Sequence, residues 1–335
     1  MKEALLYKKL DHDIVHCALC AHRCVIDPGH AGRCLVRRND DGILYTSAYG
    51  SVVAAHLDPI EKKPLFHFLP GSYSFSFASI GCNFTCSFCQ NWQISQVKEA
   101  QRLGAQSREM SPEDIVAHAV ASGAKSISYT YSEPTIFMEY AFETAQLAKK
   151  AGLANVFVTN GYMTTEALDL IAPYLDAANV DLKFSDDKKY IANCGGHLKP
   201  VLETIRRLKE RSIWVEVTTL IIAGLNDDVP SLMTIASFIA DVGKDIPWHV
   251  SAFHPDYKLM ETPSTSQETL TTAYNIGKKA DLSYVYMGNV SVEENTLCHN
   301  CKTLLIRRHG FSIEENNLKK GHCPSCATSI PGRFP

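Results

Sequence analysis

Cysteines are the residues of this sequence best equipped for chemistry, and they fall into groups. Of the 12 cysteines, Cys82, Cys86 and Cys89 have C-x3-C-x2-C spacing, and Cys298, Cys301, Cys323 and Cys326 form two C-x2-C pairs separated by 21 residues. Cys17, Cys20, Cys24 and Cys34 make a looser C-x2-C-x3-C-x9-C set, and Cys194 stands alone. In a reducing compartment such close spacings favour metal or iron-sulfur ligation over disulfides. Three thiolates can hold three irons of a cubane and leave the fourth iron open. The same three also suit a zinc site completed by a distant histidine. The paired C-x2-C knuckles predict a tetrahedral four-thiolate site of zinc-ribbon or rubredoxin type, which suits zinc and iron alike. The N-terminal four suit zinc or an auxiliary iron-sulfur cluster, with His16, His22 and His30 near enough in sequence to replace a thiolate. Cys194 reads either as a plain loop thiol or as a redox residue facing the site.

The elements that must position these groups alternate short apolar runs with helical patterns, which predicts parallel βα units. Strands are expected at 75–81, 126–131, 155–161, 177–184, 213–224, 248–255 and 284–290. Helices are expected from 112, with Ser111 as the capping hydroxyl, and over 134–151, 164–175, 199–211, 230–242 and 266–279. Successive right-handed crossovers curl such a sheet into a barrel or partial barrel, with a doubly wound open sheet as the alternative. Ligand-binding residues then belong at the carboxyl ends of the strands. Found there are Cys82 onward, Ser132 and Glu133, Thr159 and Asn160, Asp181 and Lys183, Asn226 and Asp227, and His254. Alternation along a strand puts Asp181 and Lys183 on one face.

The segment Gly81-Cys82-Asn83-Phe84-Thr85-Cys86-Ser87-Phe88-Cys89, on a loop after a strand, resembles the cluster motif of the radical S-adenosylmethionine superfamily. The resemblance implies an α/β fold, a partial (β/α)6-type barrel with small cysteine-rich N-terminal and C-terminal metal-binding modules. The corresponding divisions are 1–70, 71–290 and 291–335. It implies a 4Fe-4S cluster on Cys82, Cys86 and Cys89, S-adenosylmethionine on its open iron, and reductive cleavage to a 5'-deoxyadenosyl radical that abstracts hydrogen. Phe88 would touch adenine. Glu133 matches the glutamate of the superfamily's Gly-Gly-Glu segment, with Tyr131 and Ser132 in place of the glycines. Asp181-Leu182-Lys183 and Thr159-Asn160-Gly161 resemble segments of the pyruvate formate-lyase activating enzyme. The run from Leu220 to Asp228 resembles its fifth-strand segment, whose backbone meets adenine, and His254 matches a histidine near the ribose.

The whole chain resembles the AmmeMemoRadiSam-system radical enzymes. The carriers are Cys17-Ala18-Leu19-Cys20 with Cys24, Gly32-Arg33-Cys34, Asp58 to Phe68, Cys89-Gln90-Asn91 and the terminal ribbon. That likeness implies protein partners of the system and an electron donor such as flavodoxin or ferredoxin. Glycyl-radical activation is the neighbouring alternative, and a zinc-binding adaptor is an alternative outside catalysis.

Composition limits the partners. The net charge of -3, with both signs mixed along the chain, offers no basic footprint for nucleic acid or a membrane surface. The N-terminus has no signal-peptide core and no apolar run reaches bilayer length, so a cytoplasmic location is expected.

Overall fold

The structure, a computed structural model, describes residues 1–334; Pro335, the last residue of the expected C-terminal module, lies outside them. Its centre is an eight-stranded sheet. The strands are β1 (Ala54–Pro59), β2 (Tyr73–Ala78), β3 (Ser126–Tyr129), β4 (Ala154–Thr159), β5 (Ala177–Asp181), β6 (Trp214–Ile221), β7 (Trp248–Ala252) and β8 (Val285–Gly288). Spatial order follows chain order throughout. From β2 to β8 all pairings are parallel, whereas β1 runs antiparallel to β2. A doubly wound sheet reverses strand order at a switch point; none occurs here, and β1 and β8 remain edges, so the sheet is a partial barrel.

The crossovers are helical. Between β2 and β3 lie α1 (Trp92–Ser95), α2 (Val97–Arg102) and α3 (Pro112–Ala121); α4 (Met138–Lys150) and α5 (Thr165–Ile171) follow β3 and β4. Both α6 (Asp187–Cys194) and α7 (Leu198–Glu210) lie between β5 and β6, with α8 (Val229–Val242) and α9 (Gln267–Lys279) after them. Ser111 and Asp114 form a reciprocal capping box at α3. The turn expected around Cys194 is instead the C-terminal end of α6, followed by Gly195 in the left-handed conformation; Asp186 caps the other end of the helix by accepting from the Lys189 amide at 2.9 Å.

The strand faces differ more than their apolar sequences suggest. Phe77, Ile127, Tyr129, Phe157, Val180, Val217 and Val250 pack into the core shared with the helices. Their alternating neighbours Ser74, Ser76, Ser128, Asn179, Glu216 and His249 are buried polar side chains on the opposite, lumenal face.

A chain segment closes the amino-terminal end of this lumen. Ile60, Leu65 and Phe68 pack against Val156, Ala177 and Trp214. Glu216 accepts from the amides of Phe66 at 3.0 Å and His67 at 2.8 Å, and Asn179 donates to the Pro64 carbonyl at 2.8 Å. The C-terminal ribbon, with strands Thr296–Leu297, Leu304–His309 and Ser312–Asn316, contributes Arg308 to the same plug. Arg308 donates to the Phe66 carbonyl at 2.8 Å and covers the Phe66 ring at 4.3 Å. Among the described residues, no helix is long and apolar enough to cross a membrane.

Candidate functional site

The loop after β2 carries Cys82, Cys86 and Cys89 over the carboxyl end of the sheet. Gly81 turns the chain there at φ 107°, where an added Cβ would stand 3.0 Å from Val36 Cγ1. Neighbouring elements then strap the loop. The amides of Thr85 and Ser87 donate to the carbonyls of Cys194 at 2.9 Å and Asn193 at 3.1 Å, and the Lys258 amide donates to the Ser87 carbonyl at 3.1 Å. His22 Nε2 lies 2.8 Å from the Asn83 carbonyl.

The sulfurs have polar partners suited to thiolates. Cys82 Sγ accepts from the Phe84 amide at 3.3 Å and from Asn160 Nδ2 at 3.7 Å; Cys89 Sγ lies 3.0 Å from Ser95 Oγ. The Cys86 thiol is drawn below its ordinary pKa, first by the hydrogen bond from Cys194. Cys194 itself is buried at the end of α6, its thiol pushed well up by burial and by Cys86. Three thiols on one loop, flanked by amide and hydroxyl donors, fit the cubane expected from the sequence. They are also too far apart for one ion: among the described residues, only the C-terminal cysteines bring three or more ligand atoms within 4.8 Å of one another.

Glu133, Thr159 and Asn160 meet beside Cys82. One Glu133 oxygen accepts from the Thr135 amide at 3.1 Å, the Thr135 hydroxyl at 2.6 Å and the Thr159 hydroxyl at 2.6 Å; the other accepts from the Asn160 amide at 2.8 Å. Burial nevertheless holds its carboxyl above the usual range. The residue thus both starts the short helix Pro134–Phe137 and ties the β3 and β4 ends together. Asn160 Nδ2 also donates to Asn83 Oδ1 at 2.7 Å, a contact that no local motif announces.

Across the mouth, Lys183 Nζ bonds Asp181 Oδ2 at 2.8 Å and lies 5.8 Å from the centre of the Phe88 ring. Burial would lower the lysine pKa, but Asp181, Cys86 and Cys194 outweigh it and raise it. Phe88 is buried against Phe184 at 5.8 Å. Asn226 donates to the carbonyls of Lys183 at 2.8 Å and Leu220 at 2.9 Å, joining the ends of β5 and β6. Leu220 is half-buried, and no atom lies within 4 Å of a Cβ built on Gly224, which leaves that backbone open. His254 is exposed, with only 3.4 Å contacts to Ser264 and Asn289, and stands apart from the cysteine loop's bonded network.

Tyr131 shows how the missing glycines are accommodated. It adopts φ 63°, in the left-handed region where glycine is at ease. Its hydroxyl donates to Asp58, which also pairs with Lys63 at 2.6 Å and Lys62 at 2.9 Å. Lys63 is buried, and burial holds its pKa down to about 8 despite Asp58; Lys62 remains exposed to solvent.

The ribbon cysteines form a compact set, with Cys298 and Cys326 sulfurs 3.6 Å apart and those of Cys301 and Cys323 3.5 Å apart. Bonds of about 2.3 Å to one tetrahedral ion imply sulfurs about 3.8 Å apart, so these dimensions suit a single zinc or iron. Of the N-terminal cysteines, no three bring their sulfurs within 4.8 Å of one another. All 12 cysteines are free thiols.

Comparison with known proteins agrees with this arrangement. Residues 78–238 match the model of the Radical SAM superfamily. The chain is 44% identical over 335 residues to the uncharacterized protein MJ0808 of Methanocaldococcus jannaschii, covering 98% of this chain and 99% of that one. It is 20% identical over 214 residues to a pyruvate formate-lyase-activating enzyme of Staphylococcus epidermidis, covering 58% and 84% of the two chains. In structure it is similar to a radical SAM methyltransferase from Sphaerobacter thermophilus, with a TM-score of 0.52, 16% identity and 71% of each chain covered.

Proposed function

Because the chain belongs to the radical SAM superfamily, we propose that Cys82, Cys86 and Cys89 hold a 4Fe-4S cluster that cleaves S-adenosylmethionine reductively, generating a 5'-deoxyadenosyl radical that takes hydrogen from a substrate at the lumen mouth. One observation carries this reading: the three thiols share a loop that is bonded directly to the Glu133, Thr159 and Asn160 group at the strand ends. One lone pair of Glu133 is left to meet a methionyl ammonium. Asp181 and Lys183 offer both charges to the cofactor's polar groups, Phe88 and Leu220 offer apolar surface for adenine, and His254 stands at the rim for the ribose side. The plug at residues 60–68 helps to exclude water from a reactive intermediate.

An electron donor of the flavodoxin or ferredoxin class completes the reaction. Membership in the AmmeMemoRadiSam system, with its partner proteins, is supported by motifs spread from Cys17 to the ribbon, and close cysteine spacings suited to metal ligation favour a cytoplasmic setting. Glycyl-radical activation is the second reading, favoured by the activating enzyme among the relatives.

The test is anaerobic reconstitution followed by an assay for 5'-deoxyadenosine after reduction with added S-adenosylmethionine, comparing the wild type with Cys86→Ala. Product that requires Cys86 supports the proposal, whereas wild-type protein that takes up no iron and forms none overturns it. Hydrogen exchange between labelled 5'-deoxyadenosine and a glycine loop of a co-encoded partner would favour the activase reading.

A further inference from the structure

We propose that Cys17, Cys20, Cys24 and Cys34 bind a second iron-sulfur cluster, packed against the loop that carries Cys82, Cys86 and Cys89. The four thiols belong to one folded unit. Cys17 and Cys20 are buried, Cys24 and Cys34 half-buried, and the Cys17 amide donates to the Cys24 carbonyl at 2.8 Å. Gly32 runs close beside them, since a Cβ there would stand 3.6 Å from Cys24 Sγ.

Two independent features point to metal-bound thiolates. The first is turn geometry. Cys34 accepts from the amides two and three residues ahead, Val36 and Arg37, and Cys20 from that of His22. Cys298 of the ribbon accepts in the same way from Asn300 and Cys301, and there the four sulfurs are gathered around one point. The second is Arg37, only 1% exposed, whose Nη1 donates to Cys17 Sγ at 3.1 Å. A buried guanidinium against sulfur suits an anionic ligand set, and Glu139 is its counter-charge from the barrel side. Arg37 Nε has no hydrogen-bond partner at all.

Size selects the class of ligand. The ribbon sulfurs lie 3.5–3.6 Å apart in pairs, as one ion requires, whereas no three of the N-terminal sulfurs lie within 4.8 Å of one another. A cubane binds each thiolate to a separate iron and spreads them further. The location is equally specific. His22, two residues after Cys20, reaches the Asn83 carbonyl, and the Cys34 carbonyl lies 3.4 Å from where a Gly81 Cβ would be. The two cysteine-bearing segments therefore touch through the His22 side chain and the Cys34 peptide. The site stands on its own residues; only the identity of its neighbour rests on the function proposed above.

The test is iron, sulfide and zinc quantification with electron paramagnetic resonance on the anaerobically reconstituted full chain. Wild type should hold about eight irons, about four per cubane, with zinc or iron in the ribbon besides. Cys20→Ser with Cys34→Ser should halve the cluster iron, and so should the triple variant Cys82→Ser, Cys86→Ser, Cys89→Ser. The reduced wild-type spectrum should be broadened relative to either variant by the neighbouring spin. Since the N-terminal variant can misfold, the triple variant is decisive: about four irons retained with a cubane spectrum supports the inference, and their loss overturns it. Wild type with about two zincs and a single cubane also overturns it. If the triple variant instead keeps all the wild-type iron, the N-terminal site stands and the radical-cluster assignment fails.

Discussion

Lys63 Nζ lies 2.6 Å from Asp58 Oδ2, and neither side chain is more than 6% exposed. An ion pair in that setting owes more to mutual dependence than to net attraction, because each charge left alone would be buried. Lys63→Met should destabilise the fold by about 3 kcal/mol. Replacing both partners, as Asp58→Asn with Lys63→Met, should recover much of that loss. Denaturant unfolding of the two variants decides the matter; equal instability in both would show that packing rather than charge is at stake.

Gly196 should be intolerant of any side chain. A Cβ there would fall 2.3 Å from Phe84 Cε1, and Phe84 belongs to the cysteine loop. Gly196→Ala should therefore lower iron uptake at the loop while the circular dichroism of the barrel is preserved. Gly224→Ala is the comparison: its Cβ meets nothing within 4 Å, so the cost is limited to the left-handed φ of 74°, about 1 kcal/mol, with iron uptake unchanged.

Acid should weaken the junction between plug and ribbon. His67 is fully buried and neutral: Nδ1 donates to the Pro331 carbonyl at 2.7 Å, and Nε2 accepts from the Tyr286 hydroxyl at 2.7 Å. Burial lowers its pKa from 6.5 to about 4, although Glu216 pulls the other way. Between those values the unfolded chain binds a proton that the folded chain does not. Stability is therefore lost as pH falls from about 6.5 to about 4, by on the order of 3 kcal/mol. Thermal melts across that range should show the slope, and His67→Gln should flatten it.

Glu133→Gln should separate cofactor binding from cluster assembly. The amide keeps one acceptor but presents N–H groups where the carboxylate accepts from Asn160 or Thr159. S-adenosylmethionine affinity should fall about tenfold or more, consistent with loss of a charge-assisted bond of about 1.5–3 kcal/mol. Iron content should be retained, and equilibrium binding beside iron analysis would show whether the two are coupled.

If the ribbon cysteines hold a metal, stripping it should loosen the plug as well, because Phe66 packs in one cluster with Cys298 and Cys323. Arg308 lies on the same ribbon and holds Phe66, Thr296 and the Glu294 carbonyl. Chelation, or Cys298→Ser, should raise hydrogen exchange in residues 60–68 as well as in the ribbon, and leave β3 to β5 protected. Exchange confined to the ribbon would show that the plug holds without it.

The parallel strands were legible because each is a short apolar run bounded by turn residues, and the polar residues at their ends followed from that register. The edge strand β1 was not, because Asp58, Glu61, Lys62 and Lys63 make its surroundings read as a solvated segment; it is a strand through pairing with β2. Contacts such as Cys86 with Cys194, and Asn83 with Asn160, join residues far apart in the chain, and spacing carries no information about them. The left-handed Tyr131 was hidden for another reason. Tyrosine is an unusual occupant of that conformation, and its bond to Asp58, itself nonlocal, helps to hold it there.

The plug gives the barrel a floor. Leu65 and Phe68 are seated among Val156, Ala177 and Trp214 at the amino-terminal end of the lumen, and Arg308 is locked over Phe66 behind them. The carboxyl ends of the strands, where Glu133, Asn160 and Lys183 lie, are therefore the face left for ligands to approach, and a substitution that unseats the floor acts on the site from below without touching any residue of it.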